Sequence, residues 1–121
     1  MAGYSRELLK GAADTLVLSS FAEGDKYGYQ VVKELEHRSE GYFCFKEGTL
    51  YPILHRLEQQ GLLVAHWVQM PNGSERRYYS LTPKGTRALS AKLNEWQTFA
   101  QAVGRVTSSL TLDLNEAPYG N

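Results

Sequence analysis

Residues 46–85 constrain the fold of this 121-residue chain more than any other stretch. Apolar residues recur there at spacings of three and four, at Leu50, Ile53, Leu54 and Leu57. This spacing predicts a helix with one buried stripe. Pro52 fits such a helix if it begins near residue 47 or 48, because the first four N–H groups of a helix have no intrahelical partner. Gly61 is expected to supply the left-handed residue that ends the helix.

A β-hairpin is predicted directly after this helix. Apolar and polar residues alternate over residues 62–69, an Asn-Gly turn occupies residues 70–74, and residues 75–81 return as the partner strand. Thr82 and Pro83 then form a good N-cap and first-turn residue for another helix. A helix followed by a hairpin is typical of the recognition helix and wing of a winged helix-turn-helix. This arrangement predicts sequence-specific DNA binding and not catalysis.

Two helices are predicted ahead of this module, over residues 5–22 and 27–38, with a break at residues 23–26. Gly28 lies near the start of the second helix. Because glycine has no side chain, it allows the close approach of another backbone, either that of the third helix or a DNA phosphate. The second helix is then expected to cross the DNA backbone while the third enters the groove.

The last predicted helix carries a heptad seam. Its members follow at spacings of four, three, four and three, at Leu89, Leu93, Trp96, Ala100 and Val103. A small domain has little left to pack against such a seam, so a second copy of the chain is expected to cover it. The alternative is that the helix folds back on helix one of its own chain.

The expected fold is mainly α with a small β-hairpin, namely a winged helix-turn-helix plus a C-terminal dimerisation helix. The expected boundaries are residues 1–81 for the DNA-binding domain, 82–106 for the dimerisation helix and 107–121 for a tail. Helix one is expected to be shared with the dimer interface.

Composition is compatible with this prediction. The formal net charge is zero, but residues 26–92 hold ten Lys and Arg against six Asp and Glu, an excess of four positive charges. Cys44 is the only cysteine, which excludes an intramolecular disulfide and a cysteine-rich metal site. It is expected to be a small buried hydrophobe, with a reactive thiol as the alternative. No cofactor, metal or membrane partner is predicted, and the expected location is cytoplasmic because no membrane-spanning run or signal pattern is present.

Two other classes of function compete with DNA binding. A winged helix can act as a protein-interaction adaptor without ligand sensing, although a basic wing and an open polar helix argue against it. An enzyme would have to draw on the side chains His37, His55, His66 and Cys44. No nucleophile motif, phosphate loop or metal spacing accompanies them, so the chain is predicted not to be an enzyme.

Three stretches together resemble the PadR family of transcriptional regulators: LLKGAADTLVLSSFAEGDKYGYQVVKELE, EGTLYPILHRLEQQGLL and GSERRYYSLTPKG. The resemblance covers about residues 5–105. It implies a homodimeric repressor that binds double-stranded operator DNA. The single helix after the wing is similar to the short subfamily that includes the lactococcal multidrug-sensing regulator. In that subfamily, planar aromatic compounds are held between a tryptophan and its symmetry mate.

The resemblance implies a set of DNA-contacting residues by their match to the family motifs: Tyr27, Thr49, Tyr51, Pro52, Arg76 and Arg77. The two wing arginines are also long cationic donors suited to phosphates, although a hairpin often carries arginines for solubility. Exposure and charge add Lys46, His55 and Arg56 to this set. For Arg56 the alternative is an ion pair with Glu58 or with a carboxylate of helix two.

Trp96 falls at the place of the subfamily's effector-binding tryptophan, which implies a small planar aromatic or hydrophobic effector at the dimer interface. Residues expected beside it are Leu93, Phe99 and Ala100 on the same helix and Leu8, Ala12 and Thr15 on helix one. The alternative for Trp96 is plain packing in the dimer core. Phe99 departs from the subfamily by its bulk, which would narrow or close the slot.

Overall fold

The computed structural model describes residues 6–110. Over this range the chain forms four helices and one small sheet, in the order α1 (Arg6–Ser19), β1 (Lys26–Tyr27), α2 (Gly28–Arg38), α3 (Glu47–Gln59), β2 (Leu63–Gln69), β3 (Glu75–Leu81) and α4 (Pro83–Thr107). The predicted mainly α class with a small hairpin is confirmed. Residue 5 of the predicted first helix and residues 111–121 of the predicted tail lie outside the described range.

The sheet is antiparallel, with the strand order β1-β3-β2. Strands β2 and β3 form the predicted hairpin, in register from Leu63 opposite Leu81 to Gln69 opposite Glu75. Strand β1 was not expected, because two residues are too few to show an alternating pattern. It places Tyr27 opposite Tyr78 and so joins the start of α2 to the hairpin.

The core lies between the first three helices and the inner face of the sheet. The apolar stripe predicted for α3 is buried as expected, at Leu50, Ile53, Leu54 and Leu57. It packs with Val17 and Leu18 of α1, Val31 of α2 and Leu63 of β2. Burial of each such side chain stabilises the fold by about 1.5–3 kcal/mol. The buried stripe orients α3 and leaves its opposite side open to solvent.

Helix α3 ends where the sequence predicts, but Pro52 lies deeper in the helix than predicted. Gly61 has a φ of 79°, the left-handed value expected after the last turn. Pro52, however, is the sixth residue of a helix that begins at Glu47, so it lies inside the helix and beyond the first four positions. The prediction that it falls in the unbonded first turn is therefore wrong. It cannot donate the hydrogen bond that the Gly48 carbonyl would otherwise accept.

The start of α4 is fixed against the end of α3. The Thr82 hydroxyl accepts a hydrogen bond from the Gly85 N–H at 2.9 Å and donates one to the Gly61 carbonyl at 2.6 Å, which confirms the predicted N-cap. The backbone N–H of Thr82 donates to the carbonyl of Leu62 at 3.1 Å. At Gly85 a Cβ would lie 2.0 Å from that same carbonyl oxygen, so the helix can approach this closely only with glycine there.

Helix α4 packs on α1 along its first half only. Leu89 is buried and Leu93 packs against the core, so the alternative in which the helix folds back on its own chain holds for this half. Beyond it lies an apolar row that is 44–74% exposed: Trp96, Phe99, Val103 and Val106. About three turns of α4, from Trp96 to Val106, are therefore largely uncovered within the described part of this chain.

Cys44 is less buried than expected. It is half-buried in the loop between α2 and α3, and its thiol donates to the Gly41 carbonyl with a sulfur–oxygen distance of 3.2 Å. The fully buried side chain of this segment is Phe45. Phe45 packs edge-on against Phe43, with ring centroids 6.0 Å apart. The small-hydrophobe role predicted for Cys44 is therefore filled by its neighbour.

Candidate nucleic-acid interface

The side of α3 opposite its buried stripe is exposed and polar. It carries most of the residues predicted for this helix: Lys46, Thr49, Tyr51, Pro52 and His55. Lys46 precedes the helix, and the unpaired N–H groups of the first turn add partial positive charge at the same end. Such an end attracts anions, and its hydroxyl and imidazole groups can donate hydrogen bonds or accept them from base edges.

Tyr51 lies over the start of α2. A Cβ at Gly28 would meet the Tyr51 hydroxyl oxygen at 2.4 Å and its Cζ at 2.7 Å, so glycine there makes room for the phenol ring. The part of α3 that approaches Gly28 is therefore a side chain, and not the backbone expected from the sequence. Burial, together with the nearby Glu47 carboxylate, raises the pKa of Tyr51 above its usual 10.0. Its hydroxyl thus stays protonated and can donate to phosphate at neutral pH.

The start of α2 and the wing meet at Tyr27. The Arg76 guanidinium carbon lies 4.4 Å from the Tyr27 ring centroid, within the range of a cation–π contact. Tyr27 packs edge-on against Tyr78, with centroids 5.3 Å apart, and its backbone N–H donates to the Gln30 side chain at 3.1 Å. Strand β1 brings these residues together, because its pairing with β3 places Tyr27 directly opposite Tyr78. Three segments, led by Tyr27, Tyr51 and Arg76, thus form one surface.

Two of the predicted DNA-contacting arginines are engaged within the chain. Arg56 Nη2 donates to Asp14 Oδ1 at 2.5 Å, and this partner belongs to α1. The expected alternative of Glu58 or a carboxylate of α2 is therefore wrong for Arg56. Arg77 Nη2 donates to both carboxylate oxygens of Glu58, at 2.9 and 3.2 Å. The two arginines hold α3 from both sides, one against α1 and the other against the wing.

Trp67 is a surface residue that sequence reasoning did not single out. Its side chain is 62% exposed on β2, and the Arg77 guanidinium carbon lies 5.8 Å from its ring. Alternation places Trp67 on the inner face of the sheet with Ala65 and Leu63, but the hairpin extends past the core at this point. A large aromatic residue near the tip of a hairpin was the available signal, and the alternation pattern by itself did not show that it is exposed.

An apolar groove of about 360 Å³ lies between α1 and α4. Five of the predicted effector residues line it: Leu8, Ala12, Thr15, Leu93 and Trp96. The loop before α3 adds Tyr42 and Phe43, which were not predicted. The groove is open on one side and its walls are almost entirely apolar, as in sites that hold aromatic ligands.

Two predicted effector residues lie outside the groove. The Phe99 ring is 5.9 Å from the Trp96 ring, centroid to centroid, and lines a separate shallow depression with Lys92. Ala100 is exposed on α4 and is not among the residues that line the groove. Phe99 therefore does not fill or close the groove within one chain.

Within residues 6–110, no three His, Cys, Asp or Glu side chains come together as metal ligands would. Over the same residues, no helix combines the length and the apolar character needed to cross a bilayer.

A helix-turn-helix with an exposed third helix, followed by a β-hairpin that packs beside it, defines a winged helix-turn-helix protein. The model of the transcriptional regulator PadR-like family matches residues 17–91, and the chain belongs to this family. The predicted family is thereby confirmed. Because the family consists of transcriptional regulators, the prediction that the chain is not an enzyme is confirmed as well.

Relatives share most of this chain's length. A transcriptional regulator of Mycobacterium tuberculosis is 34% identical over 98 residues, which cover 81% of this chain and 88% of the relative. A solved transcriptional regulator from Clostridium thermocellum superposes with a TM-score of 0.78 at 30% identity, covering 86% of this chain and 98% of that one. Bacillus subtilis PadR in complex with operator DNA superposes at 0.62 with 21% identity, over 68% of this chain and 46% of that one, and so shares the fold.

Proposed function

We propose that this chain is a homodimeric, cytoplasmic repressor that binds operator DNA and is released by a small planar aromatic or hydrophobic effector at the dimer interface. The observation that carries the DNA-binding part is the single surface formed by Tyr27, Tyr51 and Arg76 around the N-terminus of α3. Bacillus subtilis PadR, which shares the fold, was solved on operator DNA, and this supports the assignment.

The surface suits a helix in the major groove with a wing on the adjacent backbone. Lys46, Thr49 and His55 lie on the open side of α3, where an inserted helix presents its side chains to base edges and phosphates. Arg76 is exposed on the wing and is held in place by the Tyr27 ring, so its guanidinium is ordered before DNA arrives. Less side-chain entropy is then lost on binding.

The second half of α4 supports the dimer. Its apolar row, from Trp96 to Val106, is exposed in the single chain, and an uncovered apolar row of this kind lowers solubility. A second copy related by a twofold axis would cover the row with the same row of its own, as isologous interfaces do. Leu8 of α1, 72% exposed at the rim, extends the same surface.

The effector site would be completed by this pairing. The groove between α1 and α4 ends at Trp96, which belongs both to its wall and to the exposed row. A planar ligand inserted there would contact the groove of one chain and the α4 of the other. Since α4 links the two DNA-binding halves of the dimer, its packing sets the distance between the two α3 helices. A ligand that prefers one such distance shifts operator affinity, with a coupling of about 1–3 kcal/mol.

A salt-dependent titration with DNA from upstream of the protein's own gene, against an unrelated duplex, tests the DNA-binding part. Tight binding of a dimer to the first and weak binding to the second is expected. Arg76→Gln should reduce the slope of log affinity against log salt by about 0.9, the value for one phosphate contact. Arg87→Gln, which removes an exposed arginine of α4, serves as the matched control and should leave the slope unchanged. Equal, weak, salt-erased binding to both duplexes would refute the proposal in favour of the adaptor.

Two further measurements test the dimer and the effector. Val103→Glu should convert the dimer to a monomer in sedimentation, whereas Ser90→Glu, an exposed position on the first half of α4, should not. In a Trp67→Phe background, Trp96 is the remaining tryptophan, and its fluorescence should be quenched by a planar aromatic dye. Saturating dye should also weaken operator binding. Quenching that persists unchanged in the Val103→Glu monomer would contradict a site at the dimer interface.

A further inference from the structure

Arg77 has a different environment from its neighbour Arg76, although both lie on β3. Side chains alternate along a strand, so Arg76 faces outward over Tyr27, and Arg77 faces inward toward α3. There its guanidinium carbon lies 5.8 Å from each of two rings, those of Trp67 and Tyr79. Its Nη2 donates to both oxygens of Glu58, at 2.9 and 3.2 Å. The side chain is 40% exposed, and it contacts the wing through these two rings and α3 through Glu58.

This environment is unsuited to a phosphate contact. Within the described residues, the Nε of Arg77 is a buried nitrogen without a hydrogen-bond partner, so the guanidinium has already given up part of its hydration. To reach a phosphate, Arg77 would have to leave the Glu58 carboxylate and both rings. Glu58, only 28% exposed, would then stay behind as an unpaired charge close to the DNA.

We infer that Arg77 is a positioning residue and not a DNA contact: together with Glu58 it fixes the wing at one angle to α3. The inference deepens the DNA-binding part of the proposed function and rests on it for its effect on the operator. Glu58 belongs to the last turn of α3, and Arg77 lies opposite Trp67 in the hairpin. The pair therefore joins the helix that enters the groove to the hairpin beside it, and leaves phosphate contact on the wing to Arg76.

Operator affinity and its salt dependence separate the two roles. Arg77→Gln should bind about two- to fivefold more weakly than the parent, the range of a partly exposed ion pair, with an unchanged salt slope. Arg76→Gln should reduce the slope by about 0.9. The double variant Glu58→Gln with Arg77→Gln should be no weaker than the weaker single variant, because both disrupt the same contact. A slope reduced by about 0.9 in Arg77→Gln would overturn the inference.

Glu58→Gln gives the sharper test, with Glu47→Gln as its matched control. Each removes one negative charge from α3, so Coulomb attraction alone predicts tighter DNA binding for both. Glu47 is exposed in the first turn, and its variant should bind DNA as tightly as the parent or more so. Glu58→Gln should instead bind more weakly, since Arg77 loses its charged partner. Tighter binding by Glu58→Gln would mean that Arg77 had been freed to reach a phosphate, and would overturn the inference.

Amide hydrogen exchange in the free protein keeps the test independent of the operator. Glu58→Gln and Arg77→Gln should speed exchange in the hairpin amides around residues 66–78, and Arg76→Gln should not. If the parent protein prefers no operator, the proposed function fails while this measurement still decides the inference. If both Glu58→Gln and Arg77→Gln exchanged their hairpin amides as slowly as the parent, the inference would be overturned.

Discussion

Gly85→Ala should destabilise the fold, although alanine is the better helix former. The added Cβ would lie 2.0 Å from the Leu62 carbonyl oxygen and 3.1 Å from a Leu81 methyl. The obstacle is backbone, so no side-chain rotation relieves it. The start of α4 must move away from the end of α3, and this movement strains the hydrogen bonds that Thr82 makes to Gly61, Leu62 and Gly85.

The change in the free energy of unfolding follows from two destabilising contributions and one stabilising contribution. Forcing an extra carbon into a packed site costs about 1–3 kcal/mol. Weakening a threonine N-cap adds about 1 kcal/mol. Replacing glycine by alanine within a helix returns about 1 kcal/mol. The free energy of unfolding should therefore fall by about 2 kcal/mol, which lowers Tm by about 8 °C for a chain of this length.

Thermal melts followed by circular dichroism at one fixed protein concentration measure this change. Gly48→Ala is the matched control, because Gly48 also lies in the first turn of a helix and a Cβ there would meet nothing within 4 Å. Its Tm should match or slightly exceed that of the parent. A Gly85→Ala protein as stable as the parent would show that α4 is not held against Leu62, and the packing argument would fail.

Three other changes test separate parts of the fold. Burial raises the pKa of Tyr51 and Tyr79 above 10.0 in the folded chain. Because the unfolded chain loses its phenolic protons at lower pH, the free energy of unfolding should fall as the pH rises past 10. Urea melts of Tyr79→Phe should show a smaller fall than those of the parent. Asp14→Asn should cost under about 1 kcal/mol in the same melts, because its partner Arg56 is half exposed. Gly61→Ala should cost about 1 kcal/mol, since alanine is strained at a φ of 79°; no loss would refute a left-handed cap.

The features with a strong periodic or capping signal could be predicted from the sequence. The stripe on α3, the left-handed glycine after it, the hairpin and the Thr82 cap all lie where local patterns place them. These features depend on residues within a few positions of one another. The exposed α3 face at Lys46, Thr49 and Tyr51 follows from the same periodicity, because the face opposite a buried stripe is in water.

Features that depend on distant parts of the chain could not be predicted in this way. The ion pair between Arg56 and Asp14 joins residues 42 positions apart, and its geometry depends on how α1 crosses α3. Strand β1 exists only because β3 lies beside it. Arg76 and Arg77 are chemically identical neighbours, and only the strand's facing decides that one meets Tyr27 and the other Glu58.

The fixed start of α4 gives the helix the mechanics of a lever. Its 25 residues, at about 1.5 Å each, extend about 37 Å from Pro83, and the residues around Thr82 and Leu62 act as the fulcrum. A rotation of only about 3° there displaces the far end by about 2 Å. In the proposed function, a ligand near Trp96 would act about 20 Å along α4 from Pro83, and a shift of the helix would be passed to the hairpin and α3 through the contacts around Thr82.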